Sequence, residues 1–517
     1  MTYDLSRRGF LAGGVAAGAT ILGLPLSSIA HAADGKVTVR VEEDLKILDP
    51  AYRSGPIDVN VILAVGQGLV KFKPGSTEWE NDAAADIKQT DDNTIEFTLK
   101  EGLKFTGDYG ELTAEDVKFS FERFTKPDAA GKKVDYADDW AALDNVEVTG
   151  KLTGKIHLKS PSPAVWLIAL ADGSGVIISK KAFEALGPEK FRTTAIGSGP
   201  YILKEWAPRD HFTLVANPDY LGEKPAFAEI TGKPIAEDKT AQLALQAGEI
   251  DFTRLDPSLA KDLAADPNLT VQKLSAIDYV WIGPNIAKAP WDDKRVREAV
   301  RLAIDVPAII AGAYNGAVEP AYALEAPGIL GNWPDAPKRT RDIEAAKKLL
   351  EEAGQGGGFS TKLTVLNKAV AQATAAVVQA NLAEVGIDVQ IEALDEGAYW
   401  AYGENDASKD LELVLVEYRG KFDPAFQTQW FTSDQIGTWN WQRWNSPEFD
   451  ALHKQGGIET DTGKRAQIYI DAQKLMDDSA AFWWITHNAY TFVYKKTLTP
   501  GILPNGNQWQ YASFKTA

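Results

Sequence analysis

The segment Phe97–Phe124 reads F-T-L-K-E-G-L-K-F-T-G-D-Y-G-E-L-T-A-E-D-V-K-F-S-F-E-R-F. Up to Leu99, apolar side chains alternate with polar ones, which predicts a strand with one buried face. Residues 107–110 combine glycine, aspartate and tyrosine in an order typical of a turn. Thr113 stands three residues before Asp116, the spacing of a helix-capping pair. Because apolar residues then recur at helical spacing, the segment predicts a strand, a turn and a capped amphipathic helix.

The same segment resembles the signature of the family 5 extracellular solute-binding proteins, the dipeptide- and oligopeptide-binding components of ABC importers. That signature is an F-x-L-R/K-x-G-V/L-K-F hairpin, a D-G turn and the string L-T-A-E-D-V-x-F-S. This chain departs from it only in the turn, at Thr106 and at Tyr109-Gly110. Further strings shared with the family are Leu48-Asp49-Pro50, Gly66–Val70, Gly197–Leu203 and Gly248–Asp251. The resemblance covers nearly all of residues 36–500.

The resemblance implies an α/β protein with the two-lobed type II periplasmic binding protein fold and an additional inserted subdomain. Lobe I is expected to gather residues 33–65, 196–278 and 480–517. The inserted subdomain is expected at 66–195 and lobe II at 279–479. Two crossings of the chain would form a hinge, so that the lobes close around a ligand. Independently, the β-α-β pattern of residues 363–391 predicts a parallel sheet backed by helices.

Residues 1–32 carry the features of an export signal. Ser6-Arg7-Arg8-Gly9-Phe10-Leu11 matches a twin-arginine motif, an apolar run follows, and Ala30-His31-Ala32 forms a cleavage site. The run is too short and too rich in glycine for a good membrane span. We therefore expect export to the periplasm by the twin-arginine route with cleavage near Ala32. An uncleaved N-terminal anchor is the alternative.

Composition narrows the class of function. A formal net charge of −18 argues against nucleic acid or anionic lipid as a partner. The absence of cysteine excludes disulfides, thiolate chemistry and Fe–S ligation. The histidines after the signal stand alone, without the spacing of a metal site, and neither a nucleophile elbow nor a dinucleotide fingerprint is present. We expect no cofactor, no metal and no catalytic residues. A secreted glycosidase with paired carboxylates is the enzyme alternative.

Substrate choice depends on the segment 417–424, where the chain departs from peptide-binding relatives. These usually carry a carboxylate three residues before an acidic-Pro pair, where it binds the peptide ammonium, and this chain has Gly420 there. Arg419 and Lys421 instead add positive charge, and an arginine can bind a carboxylate or phosphate through two parallel hydrogen bonds. Glu417 or Asp423 could bind an ammonium from a shifted position, or could neutralise Arg419 within the protein.

Aromatic residues supply further candidates for ligand contact. Trp439 and Trp441 alternate by two, and Tyr279 and Trp281 share that spacing at the expected hinge, so each pair could project from one face and stack on a ligand. In the family, the segment after Leu48-Asp49-Pro50 passes along the ligand cleft, so the resemblance adds Tyr52 and Arg53 to these candidates. The complete candidate set is Tyr52, Arg53, Tyr279, Trp281, Asn285, Glu417, Tyr418, Arg419, Asp423, Trp439 and Trp441.

The resemblance implies the substrate-binding subunit of an ABC transporter, working as a monomer in the periplasm. It would capture a peptide or a peptide-like, opine-like solute between the two lobes. It would then deliver that solute to permease subunits of the inner membrane, which are driven by cytoplasmic ATPases. An oligosaccharide or sugar conjugate is the alternative ligand within the same family.

Overall fold

A computed structural model describes residues 35–128 and 130–517. The predicted export signal at residues 1–32 lies outside this part of the chain. No helix among the described residues combines the length and the apolar character needed to cross a membrane.

The first of two large sheets collects distant parts of the chain and defines lobe I. In order across the sheet, its strands are Leu269–Ser275, Ala489–Lys495, Phe252–Leu255, Gly35–Val41, Phe227–Pro234, His211–Ala216 and Tyr201–Ala207. The helices of this lobe are Pro56–Val65, Asp238–Gln246 and Pro257–Leu263. Strand Gly35–Val41 runs parallel to Phe227–Pro234 at the middle of the sheet. Its Val37 and Val39 bury their side chains in one core with Val61 of the first helix.

The inserted subdomain contains the segment that identified the family. Its antiparallel sheet, in order, has the strands Ala84–Asp91, Thr94–Leu99, Thr153–Leu158 and Leu143–Val148, and a small ribbon pairs Val70–Phe72 with Trp79–Asn81. Its helices are Ala114–Glu122, Lys180–Leu186 and Pro188–Phe191. The predicted cap is present, because Asp116 Oδ2 accepts a hydrogen bond from the backbone N–H of Thr113 at 3.0 Å. Phe97 and Phe121 are both buried in the subdomain core.

The second large sheet defines lobe II. In order, its strands are Ile387–Leu394, Phe359–Leu366, Leu413–Tyr418, Tyr279–Pro284 and Trp483–Thr486. The helices of this lobe are Lys294–Ala303, Val306–Ala313, Ile343–Glu352, Ala369–Ala383, Glu396–Trp400, Pro424–Thr428, Pro447–Ile458 and Thr462–Ser479. The predicted β-α-β unit is confirmed, since Phe359–Leu366 and Ile387–Leu394 pair in parallel. Separate apolar clusters cover the two faces of this sheet.

The C-terminal part of the chain leaves lobe II later than expected. Strand Trp483–Thr486 pairs with Tyr279–Pro284 of lobe II, so residues 480–486 do not belong to lobe I. The chain returns to the first sheet only at strand Ala489–Lys495. Asn488, with a φ of 66°, separates strand Trp483–Thr486 from strand Ala489–Lys495. The last ribbon, Leu498–Thr499 with Lys515–Thr516, follows this return.

Two glycines of a shared string allow the inserted subdomain to join lobe I closely. A Cβ on Gly197 would lie 1.9 Å from the carbonyl oxygen of Val65, and one on Gly199 would lie 2.7 Å from that of Gly66. These distances are far shorter than any real Cβ contact. Glycine is required here because two stretches of backbone touch, and this contact fixes the base of the subdomain.

Candidate functional site

Two adjacent crossings connect the lobes. One joins strands Leu269–Ser275 and Tyr279–Pro284, and the other joins Trp483–Thr486 and Ala489–Lys495. They run side by side, because the N–H of Ala276 donates to the carbonyl of Asn488 at 3.3 Å. Paired crossings of this kind let two lobes rotate about one axis.

Asp278, in the first crossing, ties the two lobes to each other. Its buried carboxylate accepts hydrogen bonds from the hydroxyl of Tyr490 and from Asn507 Nδ2 at 3.3 Å, both in lobe I. It also accepts the N–H of Gly420, in lobe II, at 3.4 Å. Burial raises the pKa of Asp278, against the lowering effect of these donors and of Arg419. Asp278 thereby holds the loop that follows strand Leu413–Tyr418 against the hinge.

A cavity of about 200 Å³, the cleft cavity, lies where lobe I, the inserted subdomain and lobe II meet. Lobe I contributes Arg53, Ser54, Gly55, Pro56, Val59, Asn505, Asn507 and Gln508 to its wall. The inserted subdomain contributes Phe72, Tyr136, Leu167 and Asp172, and lobe II contributes Arg419, Gly420, Lys421, Phe422 and Phe426. Since walls from both lobes enclose the cavity, rotation at the hinge would open it.

A larger cavity, about 290 Å³, lies within lobe II between residues 301–341 and 477–484. Two of the four cations that line it, Arg301 and Arg339, pair with Asp477 at 2.9 and 2.7 Å. Because only one lobe lines it, lobe closure cannot enclose a ligand there. We therefore place the candidate site in the cleft cavity, although it is the smaller of the two.

Arg419 is the exposed cation of the cleft cavity. Within residues 35–128 and 130–517 it makes no hydrogen bond and no ion pair, although Glu417 and Asp423 stand nearby in the sequence. Glu417 instead accepts a hydrogen bond from Asn488 Nδ2 at 3.0 Å. Arg419 therefore presents a guanidinium without a direct partner among the described residues to the space between the lobes.

Glu417 is exposed as well, two residues before Arg419. Burial among the surrounding residues raises the pKa of Glu417, and the neighbouring carboxylate of Asp278 raises it further. The side chain of Glu417 is thus accessible to solvent while protein surrounds it on several sides, as in a deep cleft. Glu417 belongs to strand Leu413–Tyr418 and Arg419 follows directly after its end, so two exposed side chains of opposite charge stand two residues apart.

Asp423 lies close in sequence but is not available to a ligand. Both of its oxygens accept from the guanidinium of Arg465, at 2.7 and 2.8 Å, and Oδ1 also caps the next helix through the N–H of Ala425. The side chains of Asp423 and Arg465 are almost fully buried, with 3% and 5% exposure. The structure gives Asp423 a role within lobe II, so we leave it out of the candidate site.

The aromatic candidates divide by burial. Tyr279 and Trp281 share a face as their spacing predicts, but that face is the lobe core, and both side chains are fully buried beside Tyr418. Trp439 is 37% exposed, whereas Trp441 is buried and donates its indole N–H to the carbonyl of Thr438. Residues 439–441 lie in turns rather than in a strand, so alternation does not place these two rings on one face. Trp439 alone offers an accessible ring.

Three other candidate residues make contacts within the protein. Tyr418 is buried and donates its hydroxyl to the carbonyl of Trp439 at 2.8 Å. Asn285 Nδ2 donates to the carbonyls of Lys409 and Leu411, which shapes a loop of lobe II. Tyr52 packs its ring against the guanidinium of Arg192, 3.9 Å away.

Of the candidates near the start of the chain, Arg53 lines the cleft cavity. It donates to Asp172 at 3.0 Å, and its guanidinium lies 3.5 Å from the ring of Tyr136. These two partners belong to the inserted subdomain and were not predicted. They are more than 80 residues from Arg53 in sequence, and no local pattern marks them.

Gly420 stands where the resemblance places a carboxylate in peptide-binding relatives, and no side chain fits there. A Cβ at this position would lie 2.3 Å from the carbonyl oxygen of Ile277, in the first crossing. The backbone at 420 packs directly on the hinge. The cleft cavity therefore cannot bind an ammonium through residue 420.

We expect Gly420→Asp to lower the free energy of unfolding by about 1–3 kcal/mol, because overpacking forces backbone shifts. Urea unfolding would measure this loss. Gly357→Asp is the matched control, since a Cβ there meets nothing within 4 Å. Equal stability of Gly420→Asp and the wild type would show that the crossing at Ile277 yields without cost.

Within the described ranges, no group of three or more potential ligand side chains is arranged to hold a metal ion. Two sheets joined by adjacent crossings, with a cavity between them that both lobes line, define the fold of a type II periplasmic binding protein.

Comparison with known proteins gives the family. The sequence model described as bacterial extracellular solute-binding proteins, family 5 Middle, matches residues 78–439. The chain belongs to this family, whose members are the solute-binding components of ABC importers.

Two curated relatives match almost the whole chain. The probable D,D-dipeptide-binding periplasmic protein DdpA of Escherichia coli K12 is 28% identical over 495 residues, which cover 92% of this chain and 94% of DdpA. The glutathione-binding protein GsiB of the same strain is 28% identical over 515 residues, 96% of each chain. Among solved structures, MoaA from A. tumefacien R10 in complex with mannopinic acid aligns with a TM-score of 0.76 and 25% identity, over 94% of this chain and 100% of MoaA.

Proposed function

We propose that this protein captures a small peptide-like or opine-like solute in the cleft cavity, with a carboxylate of that solute bound to Arg419. The observation that carries the proposal is the exposed guanidinium of Arg419, which lines the cleft cavity and makes no ion pair with residues 35–128 or 130–517. Such a group forms short, charge-assisted hydrogen bonds with a carboxylate, two at a time when the geometry is planar. Lobe closure would strengthen these bonds by removing water.

Glu417 supports a ligand that carries both charges. Glu417 is not among the residues that line the cleft cavity, but it is exposed two residues before Arg419. One of its oxygens accepts a hydrogen bond from Asn488, which leaves the other available to an ammonium. A solute with an amino acid head group would satisfy Glu417 and Arg419 together. Named ligands of similar proteins agree with this chemistry, since dipeptides, glutathione and mannopinic acid all carry carboxylates.

The biological setting proposed is that of an ABC importer. The protein would be exported by the twin-arginine route, cleaved near Ala32, and act as a monomer in the periplasm. There it would deliver its solute to permease subunits in the inner membrane. It would bind without turnover, as the named relatives are binding proteins rather than enzymes.

Saturable one-to-one binding is the expected result for the purified protein. Mass spectrometry of small molecules released by denaturation would identify the ligand, and a melting series would then measure its effect. At a hundredfold excess over Kd, ligand should stabilise the fold by about 2.7 kcal/mol. A ligand amide that lacks the carboxylate is the control and should give little stabilisation. Conversion of the bound ligand into a product would contradict the proposal.

A further inference from the structure

Four charged side chains meet at one edge of the cleft cavity. Lys421 Nζ, from lobe II, lies 2.8 Å from Asp139 Oδ1 and 3.0 Å from Asp172 Oδ2, both in the inserted subdomain. Arg53 of lobe I lies 3.0 Å from the same oxygen of Asp172. The side chains are 17% exposed for Lys421, 6% and 8% for the aspartates and 2% for Arg53. The cluster therefore joins three parts of the chain in a nearly dry environment.

Each of the four charged groups also has further polar partners. The ammonium of Lys421 has the two carboxylates and the carbonyl of Ile168, at 3.3 Å, as acceptors. The remaining carboxylate positions are filled by Ser174, which donates to Asp139 at 2.9 Å, and by Gln508, which donates to Asp172 at 3.2 Å. Two cations face two anions, so the charges of the cluster balance without a ligand.

Of these four charged side chains, Lys421 is the one that comes from lobe II. Arg53 is held on its own side by the carbonyl of Pro50 at 2.9 Å and by the ring of Tyr136. If lobe II rotates away, Lys421 leaves and the other three charged groups stay together. The remaining group, Arg53 with the two aspartates, carries a net charge of −1, and its carboxylates become exposed to water.

In this cluster the attraction between opposite charges outweighs the cost of removing the charged groups from water. Burial by itself lowers the pKa of Lys421, but Asp139 and Asp172 hold that pKa above its ordinary value. Likewise burial raises the pKa of Asp172, while Lys421 and Arg53 hold it far below the ordinary range. Buried ion pairs are not stabilising by default. Here the charged forms are favoured because each charged group lies within 3.0 Å of a group of opposite charge.

We propose that Lys421 stabilises the closed cleft. Its contacts with Asp139 and Asp172 favour the closed arrangement of the lobes even without a ligand. A group that favours the closed state raises the affinity for every ligand that binds this state, by the same factor. Lys421 also supplies the ammonium that these aspartates would otherwise accept from a solute. The inference goes beyond the proposed ligand, since it concerns the empty protein.

The test compares Lys421→Met with the wild type after removal of any retained ligand. Lys454→Met is the matched control, because Lys454 is an exposed lysine of lobe II without a hydrogen bond or ion pair among the described residues. Small-angle scattering gives the radius of gyration. Energy transfer between dyes gives the lobe separation, using cysteines introduced at the exposed Asp135 and Gln455 of this cysteine-free chain.

In Lys421→Met we expect the closing equilibrium constant to fall by tenfold or more, with a larger radius and lower energy transfer, while Lys454→Met matches the wild type. Asp139→Asn should open the cleft in the same direction, and the double variant should add little to either single change. If Lys421→Met folds poorly, Asp139→Asn tests the same contact. A cleft as closed in Lys421→Met as in the wild type, or additive effects in the double variant, would overturn the proposal. No ligand is used, so a wrong ligand assignment leaves the result intact.

Discussion

Arg419→Met is expected to lower the affinity for the cleft ligand by about 30-fold to several thousand-fold, corresponding to about 2–5 kcal/mol. Methionine retains much of the side-chain length but removes the charge that would bind the carboxylate. Stability of the empty protein should change little, because Arg419 makes no ion pair within the described residues. Calorimetric titration with the ligand identified by mass spectrometry would measure the affinity, and urea unfolding would measure the stability.

Arg209→Met is a suitable control for this experiment. Arg209 is exposed in the turn between strands Tyr201–Ala207 and His211–Ala216 of lobe I and is not among the residues that line the cleft cavity. Wild-type affinity in Arg419→Met together with lower stability would mean that Arg419 supports the fold. Wild-type values for both would mean that it is simply solvated, and ammonium recognition at Glu417 would then become the leading hypothesis for ligand binding.

Asp423→Asn is expected to lower the free energy of unfolding by about 3–5 kcal/mol, because it leaves the buried guanidinium of Arg465 without its counter-charge. Both hydrogen bonds of this pair are short, and the side chains are almost fully buried. Denaturant unfolding followed by circular dichroism would measure the loss. The affinity of the folded variant should stay close to that of the wild type.

Asp471→Asn provides the comparison for an ion pair in solvent. Asp471 lies 2.9 Å from Lys474, and both side chains are about half exposed, so its loss should cost no more than about 1 kcal/mol. The opposite pattern for Asp423→Asn, unchanged stability with lost binding, would restore Asp423 as a ligand-binding residue. The two aspartates thus separate a structural role from a binding role.

Several features follow from the sequence because they depend on neighbours along the chain. Alternation up to Leu99 and the pair Thr113 and Asp116 specify a strand and a capped helix, since strand faces and helix caps are set by spacing alone. The shared strings likewise sufficed to identify the family and its two-lobed fold. The positive charge of Arg419 beside Gly420 was also evident from the sequence, because this segment departs from the family pattern.

The alternation of side chains along the sequence predicted the placement of the aromatic residues only in part. Tyr279 and Trp281 do share a face, yet spacing cannot tell whether that face meets solvent or a core. Trp439 and Trp441 share none, because alternation has this meaning only within a strand and these residues lie in turns. Burial is a property of the assembled sheet and helices, so it had to come from the tertiary structure.

Charge pairing was decided by tertiary structure alone. Asp423 is neutralised by Arg465, 42 residues away, and Lys421 meets Asp139, 282 residues away, so neither partner is visible in the segment that contains them. Likewise Gly420 is required by contact with Ile277 of the hinge. The sequence by itself determined the local elements, the family and the presence of charge near residue 420. Only the tertiary structure decided which charges are paired and which face the cleft, because pairing depends on contacts between residues far apart in the chain.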